Sequence, residues 1–123
     1  NNFILGEEML YYHNPRCSKS RQGLELLSNA GVEPKVKEYL KEGLTKLEVL
    51  DLIEKLNISP LDGLIRVKDA LFKELGHSKS DELTNDKWAT IISKNPALLE
   101  RPILVHGKKA QIGRPVENLS KII

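Results

Sequence analysis

The sequence predicts an α/β fold, in which a four-stranded mixed sheet carries a helical insertion between its second and third strands. Three observations predict it: a strand–helix–strand pattern at the start, a run of helical signals in the middle, and a hairpin followed by a helix at the end. The length of 123 residues, 40% of them hydrophobic, suits one domain with an ordinary core. We expect this domain over residues 9–123, with residues 1–8 as a tag or upstream extension.

The first third of the chain predicts a βαβ unit. The run from Met9 to His13 is apolar and aromatic and is stopped by Asn14-Pro15, which is typical of a buried strand. From Ser20 to Gly31 leucines recur at helical spacing, and the glycine is a typical helix end. The segment from Glu33 to Leu40 predicts the second strand, so that the helix connects two strands of one unit.

Residues 43–100 predict the helical insertion. Thr45 and Glu48 have the spacing of a capping box and precede apolar residues on one helical face. Residues of the N-cap type indicate further helix starts, and the four expected helices begin near Thr45, Ser59, Asp69 and Thr84. Trp88 stands at helical spacing from two isoleucines and is expected in the core.

The last segment predicts a hairpin and a closing helix. Ile103 to Val105 and Lys109 to Ile112 read as short strands around a turn at His106-Gly107-Lys108. Pro115 suits the start of a helix. The complete order, βαβ, helices, then ββα, is that of a thioredoxin-like fold with an insertion.

Composition excludes several classes of function. The 19 basic and 17 acidic residues give a formal charge of +2 and are interspersed, which argues against nucleic acid as the main partner. No apolar run approaches the roughly 18 residues of a membrane span, and no secretory leader is recognisable, so we expect a soluble, cytoplasmic protein without a membrane partner. With a single cysteine, an internal disulfide is excluded.

That cysteine, Cys17, lies between the first strand and the first helix, in a segment rich in basic and hydroxyl side chains. Only the thiolate is nucleophilic, and an unperturbed thiol with a pKa of about 8.5 is about 3% ionised at pH 7. Arg16, Ser20 and the preceding His13 are candidates to stabilise the thiolate, together with the amides of a helix N-terminus. The sequence therefore predicts a lowered pKa for Cys17; the alternative is a buried structural cysteine.

Two patterns of thiol chemistry are excluded by the neighbours of Cys17. A dithiol oxidoreductase needs Cys-x-x-Cys, but Ser20 occupies the second position. A phosphatase-like loop has arginine six residues after its cysteine, where this chain has Gly23. Cys17 therefore needs an external reductant, such as glutathione, to regenerate it.

Three arginines are candidates for an oxyanion site. Arg101-Pro102 precedes the third strand and Arg114-Pro115 follows the fourth, while Arg66 follows a short helical segment. Pro102 falls where thioredoxin-like folds commonly place a cis-proline beside the active thiol. If the arginines converge on Cys17 they can bind an oxyanion, whereas Arg66 taken alone is typical of a solvated surface charge.

No metal site is expected. The three histidines are dispersed and show no ligand spacing with carboxylates or with the cysteine. They are His13, His77 and His106.

From Met9 to Ile123 the chain resembles the ArsC-type arsenate reductase family, the glutaredoxin-coupled class on a thioredoxin-like fold. The resemblance implies an oxidoreductase in which Cys17 attacks arsenate. It implies no bound cofactor, with glutathione as reductant and glutaredoxin as protein partner. It also implies that His13 and Ser20 stabilise the thiolate. Arg66, Arg101 and Arg114 would hold the substrate. The residues that carry the resemblance are Tyr12-His13-Asn14-Pro15, Cys17, Ser20-Arg21, Arg66, Glu100-Arg101-Pro102-Ile103 and Gly113-Arg114-Pro115.

Two other functions remain open on the sequence. Arg16, Ser18 and Lys19 stand where the best-known enzymes of the family have small residues, so the chain is closest to a separate ArsC-like branch. One alternative is a glutathione-dependent reductase of protein mixed disulfides. The other is a non-enzymatic regulator of the Spx type that binds RNA polymerase. Such regulators sense oxidation through Cys-x-x-Cys, so Ser20 argues against a redox-switching form.

Overall fold

The computed structural model describes residues 8–123, and the expected tag or extension therefore lies almost wholly outside the described residues. The strands are β1 (Met9–Tyr12), β2 (Lys35–Lys37), β3 (Ile103–His106) and β4 (Lys109–Ile112). They form one four-stranded sheet in the order β2-β1-β3-β4. β1 pairs with β2 in parallel and with β3 antiparallel, and β3 and β4 form an antiparallel pair. This confirms the predicted α/β fold with a mixed sheet.

Five α-helices accompany the sheet in the described part of the chain. They are α1 (Ser18–Asn29), α2 (Tyr39–Glu42), α3 (Lys46–Leu56), α4 (Ala70–Glu74) and α5 (Asn85–Lys94). Three segments are 3₁₀-helical, namely Pro60–Asp62, Pro96–Leu98 and Val116–Ile122. Four of the five α-helices lie between β2 and β3, as the predicted insertion requires.

The chain divides into two compact units. One comprises residues up to Tyr39 together with Arg101–Ile123, and the other is Leu40–Glu100. In the first, the 3₁₀ segment after β4 packs against β4, β3 and α1. The buried residues of its core cluster are Tyr11, Leu27, Leu104 and Leu119.

The unit Leu40–Glu100 is organised around α3 and α5, which pack against each other. The predicted capping box is confirmed, since Thr45 Oγ1 accepts from Glu48 N–H at 3.1 Å and Thr45 N–H donates to Glu48 Oε1 at 2.8 Å. Trp88 is 2% exposed, which confirms its place in the core. Its ring stacks on Phe72 with centroids 6.0 Å apart.

Several element boundaries differ from the prediction. β2 covers only Lys35–Lys37 because it is an edge strand paired on one side, and the chain turns into α2 at Tyr39. The helix expected from Ser59 is a 3₁₀ turn that ends at Gly63, whose φ of 133° is accessible to glycine. The closing helix is also 3₁₀. Helix α1 starts at Ser18, two residues before the predicted start.

The peptide bond between Arg101 and Pro102 is cis, which confirms the prediction for Pro102. The bond between Arg114 and Pro115 is cis as well. Among residues 8–123, none of the helices combines the length and the apolar character that crossing a bilayer would need.

Candidate functional site

Cys17 is the N-cap residue of α1 and is partly exposed. The loop that leads to it is held by hydrogen bonds to Asn14: Cys17 N–H donates to the Asn14 carbonyl at 2.9 Å, and Arg16 N–H donates to Asn14 Oδ1 at 3.1 Å. Arg21, one turn into the helix, donates from Nη1 to the Pro15 carbonyl at 2.8 Å. These bonds hold the sulfur over the N-terminus of α1.

The surroundings of Cys17 lower the pKa of its thiol. Burial is the largest single influence and raises the pKa, but the backbone N–H of Ser20, the charge of Arg101, the backbone N–H of Lys19 and a hydrogen bond from Arg101 together outweigh it. The Cys17 side chain makes no regular capping hydrogen bond, so the helix acts on the sulfur through nearby N–H groups rather than through one short contact. The direction of the shift agrees with the prediction.

Arg114 reaches the same sulfur from the other end of the hairpin. Its Nη2 lies 3.8 Å from Cys17 Sγ, and its Nε donates to the Arg101 carbonyl at 2.9 Å. The two arginines meet because antiparallel strands place the residues before β3 beside those after β4, where Gly113 N–H donates to the Pro102 carbonyl at 2.8 Å. The structure therefore brings Arg101 and Arg114 to Cys17. Pro102 is buried next to Arg101 in the chain, and its place beside the thiol stays a prediction.

Ser20 connects His13 to this helix turn. Ser20 Oγ lies 2.8 Å from His13 Nδ1 and accepts from Asn14 N–H at 3.0 Å. Burial lowers the pKa of His13, Glu38 opposes that shift, and Arg21 adds to it. This shift favours the neutral imidazole. Since His13 contacts the Ser20 hydroxyl while the Ser20 amide faces the thiol, its role in stabilising the thiolate stays a prediction that runs through Ser20.

The remaining two predicted site residues have other surroundings. Arg16 is exposed, and its guanidinium is not among the groups that lower the pKa of Cys17. Arg66 belongs to the unit Leu40–Glu100, where its Nη1 lies 2.9 Å from Asp69 Oδ2 and donates to the Ala97 carbonyl at 3.4 Å. Its role in binding substrate stays a prediction.

Tyr11 is a site residue that the sequence analysis missed. Its hydroxyl donates to the backbone carbonyl of Ser20 at 2.7 Å. The alternation of side chains along extended backbone was the available signal, because Tyr11 lies two residues before His13. The two rings have centroids 5.7 Å apart.

No metal centre is formed by the residues that the structure describes: among positions 8–123, no three His, Cys, Asp or Glu side chains are grouped so that they could hold an ion. The site itself offers a thiol of lowered pKa beside the guanidinium groups of Arg101 and Arg114.

The rate of alkylation of Cys17 is expected to follow the lowered pKa. Measured with iodoacetamide against pH, the rate should reach half its maximum below the free-thiol value of about 8.5 and fall as the pH drops through that midpoint. Because the chain contains one cysteine, the unfolded protein in denaturant is the matched control. A folded-state midpoint equal to the unfolded one would contradict the expectation.

Comparison with known proteins places the chain in one family. The family model described as "ArsC family" matches residues 12–122. An arsenate reductase of Neisseria meningitidis is 43% identical over 94% of this chain and 98% of its own length, and one of Haemophilus influenzae is 40% identical over the same shares. A solved structure of an arsenate reductase from Vibrio cholerae superposes with a TM-score of 0.85 at 37% identity, covering 96% of this chain and 99% of that one. The chain belongs to the ArsC family.

Proposed function

We propose that this chain is an arsenate reductase that uses Cys17 as its nucleophile and glutathione with glutaredoxin as its reductants. The observation that carries the proposal is the thiol of lowered pKa at the N-cap of α1, which Arg101 and Arg114 both contact. The names of the relatives at 40 and 43% identity support arsenate as the substrate.

In the first step the Cys17 thiolate attacks As(V), an arsenic–sulfur bond forms, and one arsenate oxygen leaves as water after protonation. Arsenate carries between one and two negative charges at neutral pH, so an anionic nucleophile is repelled by it. The guanidinium groups of Arg101 and Arg114 offset this repulsion, because a planar fork of N–H donors suits a tetrahedral oxyanion. Arg101 also lowers the pKa of the thiol and so favours the ionised sulfur.

Reduction needs two electrons, and the chain holds no second thiol to supply them. Glutathione displaces a further arsenate oxygen as water and forms a second arsenic–sulfur bond. A glutaredoxin thiolate then attacks the glutathione sulfur, arsenic keeps the electron pair of the broken bond, and a mixed disulfide of glutaredoxin and glutathione leaves. Water hydrolyses the remaining As(III)–Cys17 bond, which releases arsenite and restores the thiol.

The test is arsenite formation by the purified chain with arsenate, glutathione and glutaredoxin, with each component omitted in turn. We expect arsenite only in the complete mixture. Arsenite formed without glutaredoxin would overturn the reductant assignment and leave the substrate standing. No arsenite in any mixture, together with turnover of a glutathionylated protein, would replace the proposal by reduction of mixed disulfides.

A further inference from the structure

The phenol of Tyr11 makes a contact at the site for which the proposed mechanism gives no role. Its hydroxyl donates to the Ser20 carbonyl, and both residues are fully buried. Burial raises the pKa of Tyr11 well above its ordinary value, the hydrogen bond to Ser20 opposes this, and the charge of Cys17 adds to it. The phenol therefore stays a neutral donor over the range in which the thiol ionises.

Ser20 is held by three different groups at once. Its carbonyl accepts from Tyr11, while its hydroxyl oxygen contacts His13 and accepts from Asn14 N–H. Its own N–H is the first of the groups that lower the pKa of Cys17. Any displacement of the Ser20 backbone consequently moves an amide that faces the sulfur. Tyr11 is the side chain that fixes this backbone from the sheet.

Gly23 provides the space that the phenol occupies. It lies three residues after Ser20 on the buried face of α1, and its backbone is ordinary helix. A Cβ at this position would overlap the Tyr11 hydroxyl oxygen and would lie 3.0 Å from Leu119 Cδ1. Glycine is disfavoured inside a helix relative to alanine, so its place here has a steric reason.

We propose that Tyr11 is a positioning residue for Cys17. Gly23 leaves space for the Tyr11 hydroxyl, and this hydroxyl holds the first turn of α1 so that the helix amides face the sulfur. The inference rests on the proposed function in taking Cys17 as the reacting atom. It deepens that function by extending the site to one strand residue and one helix residue.

The first test is Tyr11→Phe, which removes the hydroxyl and keeps the ring. Alkylation of Cys17 by iodoacetamide against pH, in the full chain without arsenate or glutathione, should show a midpoint raised by about 0.5 pH unit. That shift corresponds to about a threefold loss of thiolate below the midpoint. Leu27→Val is the matched control, because Leu27 lies on α1 in the same core cluster but away from the first turn. It should lower the unfolding temperature and leave the midpoint unchanged.

The second test uses Gly23→Ala in two backgrounds. With Tyr11 present, the new methyl group displaces the phenol. The alkylation midpoint should therefore rise and the unfolding temperature should fall. In the Tyr11→Phe background the overlapping oxygen is gone. The same alanine should therefore change the alkylation midpoint and the unfolding temperature by less. If Gly23→Ala alone does not fold, Tyr11→Phe still decides the proposal.

Two results would overturn the inference. The positioning role fails if Tyr11→Phe lowers the unfolding temperature without moving the midpoint, since the hydroxyl would then be merely structural. The role of Gly23 in making space for the Tyr11 hydroxyl fails if Gly23→Ala has equal effects in both backgrounds. Neither readout uses arsenate, so a lack of arsenite formation would count against the proposed function alone.

Discussion

Replacing Cys17 by serine is expected to abolish arsenite formation, with a loss of at least about 10³-fold in kcat/KM. A serine hydroxyl is not ionised at neutral pH and cannot form the arsenic–sulfur bond. The fold should be unaffected, because position 17 is the N-cap of α1 and serine is among the preferred N-cap residues. The measurements are arsenite formation in the complete mixture and thermal unfolding.

A control for the place of the thiol is the double variant Cys17→Ser/Ser28→Cys. Ser28 is exposed in the last turn of the same helix, so the variant keeps one thiol but removes it from the arginines and the helix N-terminus. It should be as inactive as the single variant. If either variant kept a tenth of the activity, the nucleophile would have to be sought elsewhere.

Replacing Arg101 by alanine is expected to be the second largest loss, roughly 10²-fold in kcat/KM. The guanidinium lowers the pKa of Cys17, and in the proposed mechanism it also binds the oxyanion that the sulfur attacks. A hydrogen bond to a charged group contributes about 1.5–3 kcal/mol, which is about 10- to 100-fold in rate. Arg101→Lys should recover part of the loss, because it restores the charge without the two-pronged donor.

The pH dependence of that variant has a definite sign. The folded-state pKa of the Cys17 thiol lies below its unfolded value, so ionisation stabilises the fold above the unfolded pKa. This contribution disappears as the pH falls through the folded-state pKa. Arg101→Ala should therefore cost more stability at pH 9 than at pH 5 and should move the alkylation midpoint upward.

The control for net charge is Lys109→Ala, on an exposed position of β4. It removes the same charge from the hairpin and should shift the alkylation midpoint far less. Equal shifts in the two variants would mean that Arg101 acts only through the overall field of the protein.

Most of the fold could be predicted because its signals are local. Capping at Thr45, the turn between β3 and β4 and the helical spacing around Trp88 each depend on a few neighbouring residues. The length of β2 could not be predicted in this way. A strand ends where pairing ends, and the residues that pair with Lys35–Lys37 belong to β1 rather than to the segment itself.

The site followed from the sequence only in part, for the same reason. The position of Cys17 before α1 is local, and Arg101 and Arg114 could be named from the Arg-Pro pairs that flank the hairpin. The hydrogen bond from Tyr11 to Ser20 joins residues nine positions apart and depends on how α1 lies on the sheet. Arg16 is adjacent to the cysteine and lies exposed, and its role in stabilising the thiolate stays a prediction.

The cationic surroundings of Cys17 also affect product release. Arsenous acid is uncharged at neutral pH, whereas arsenate is an anion, so we expect Arg101 and Arg114 to attract the substrate far more strongly than the product. A reductase organised in this way should show weak product inhibition. It should instead be inhibited by other tetrahedral anions, phosphate foremost, because they share the shape and negative charge of arsenate.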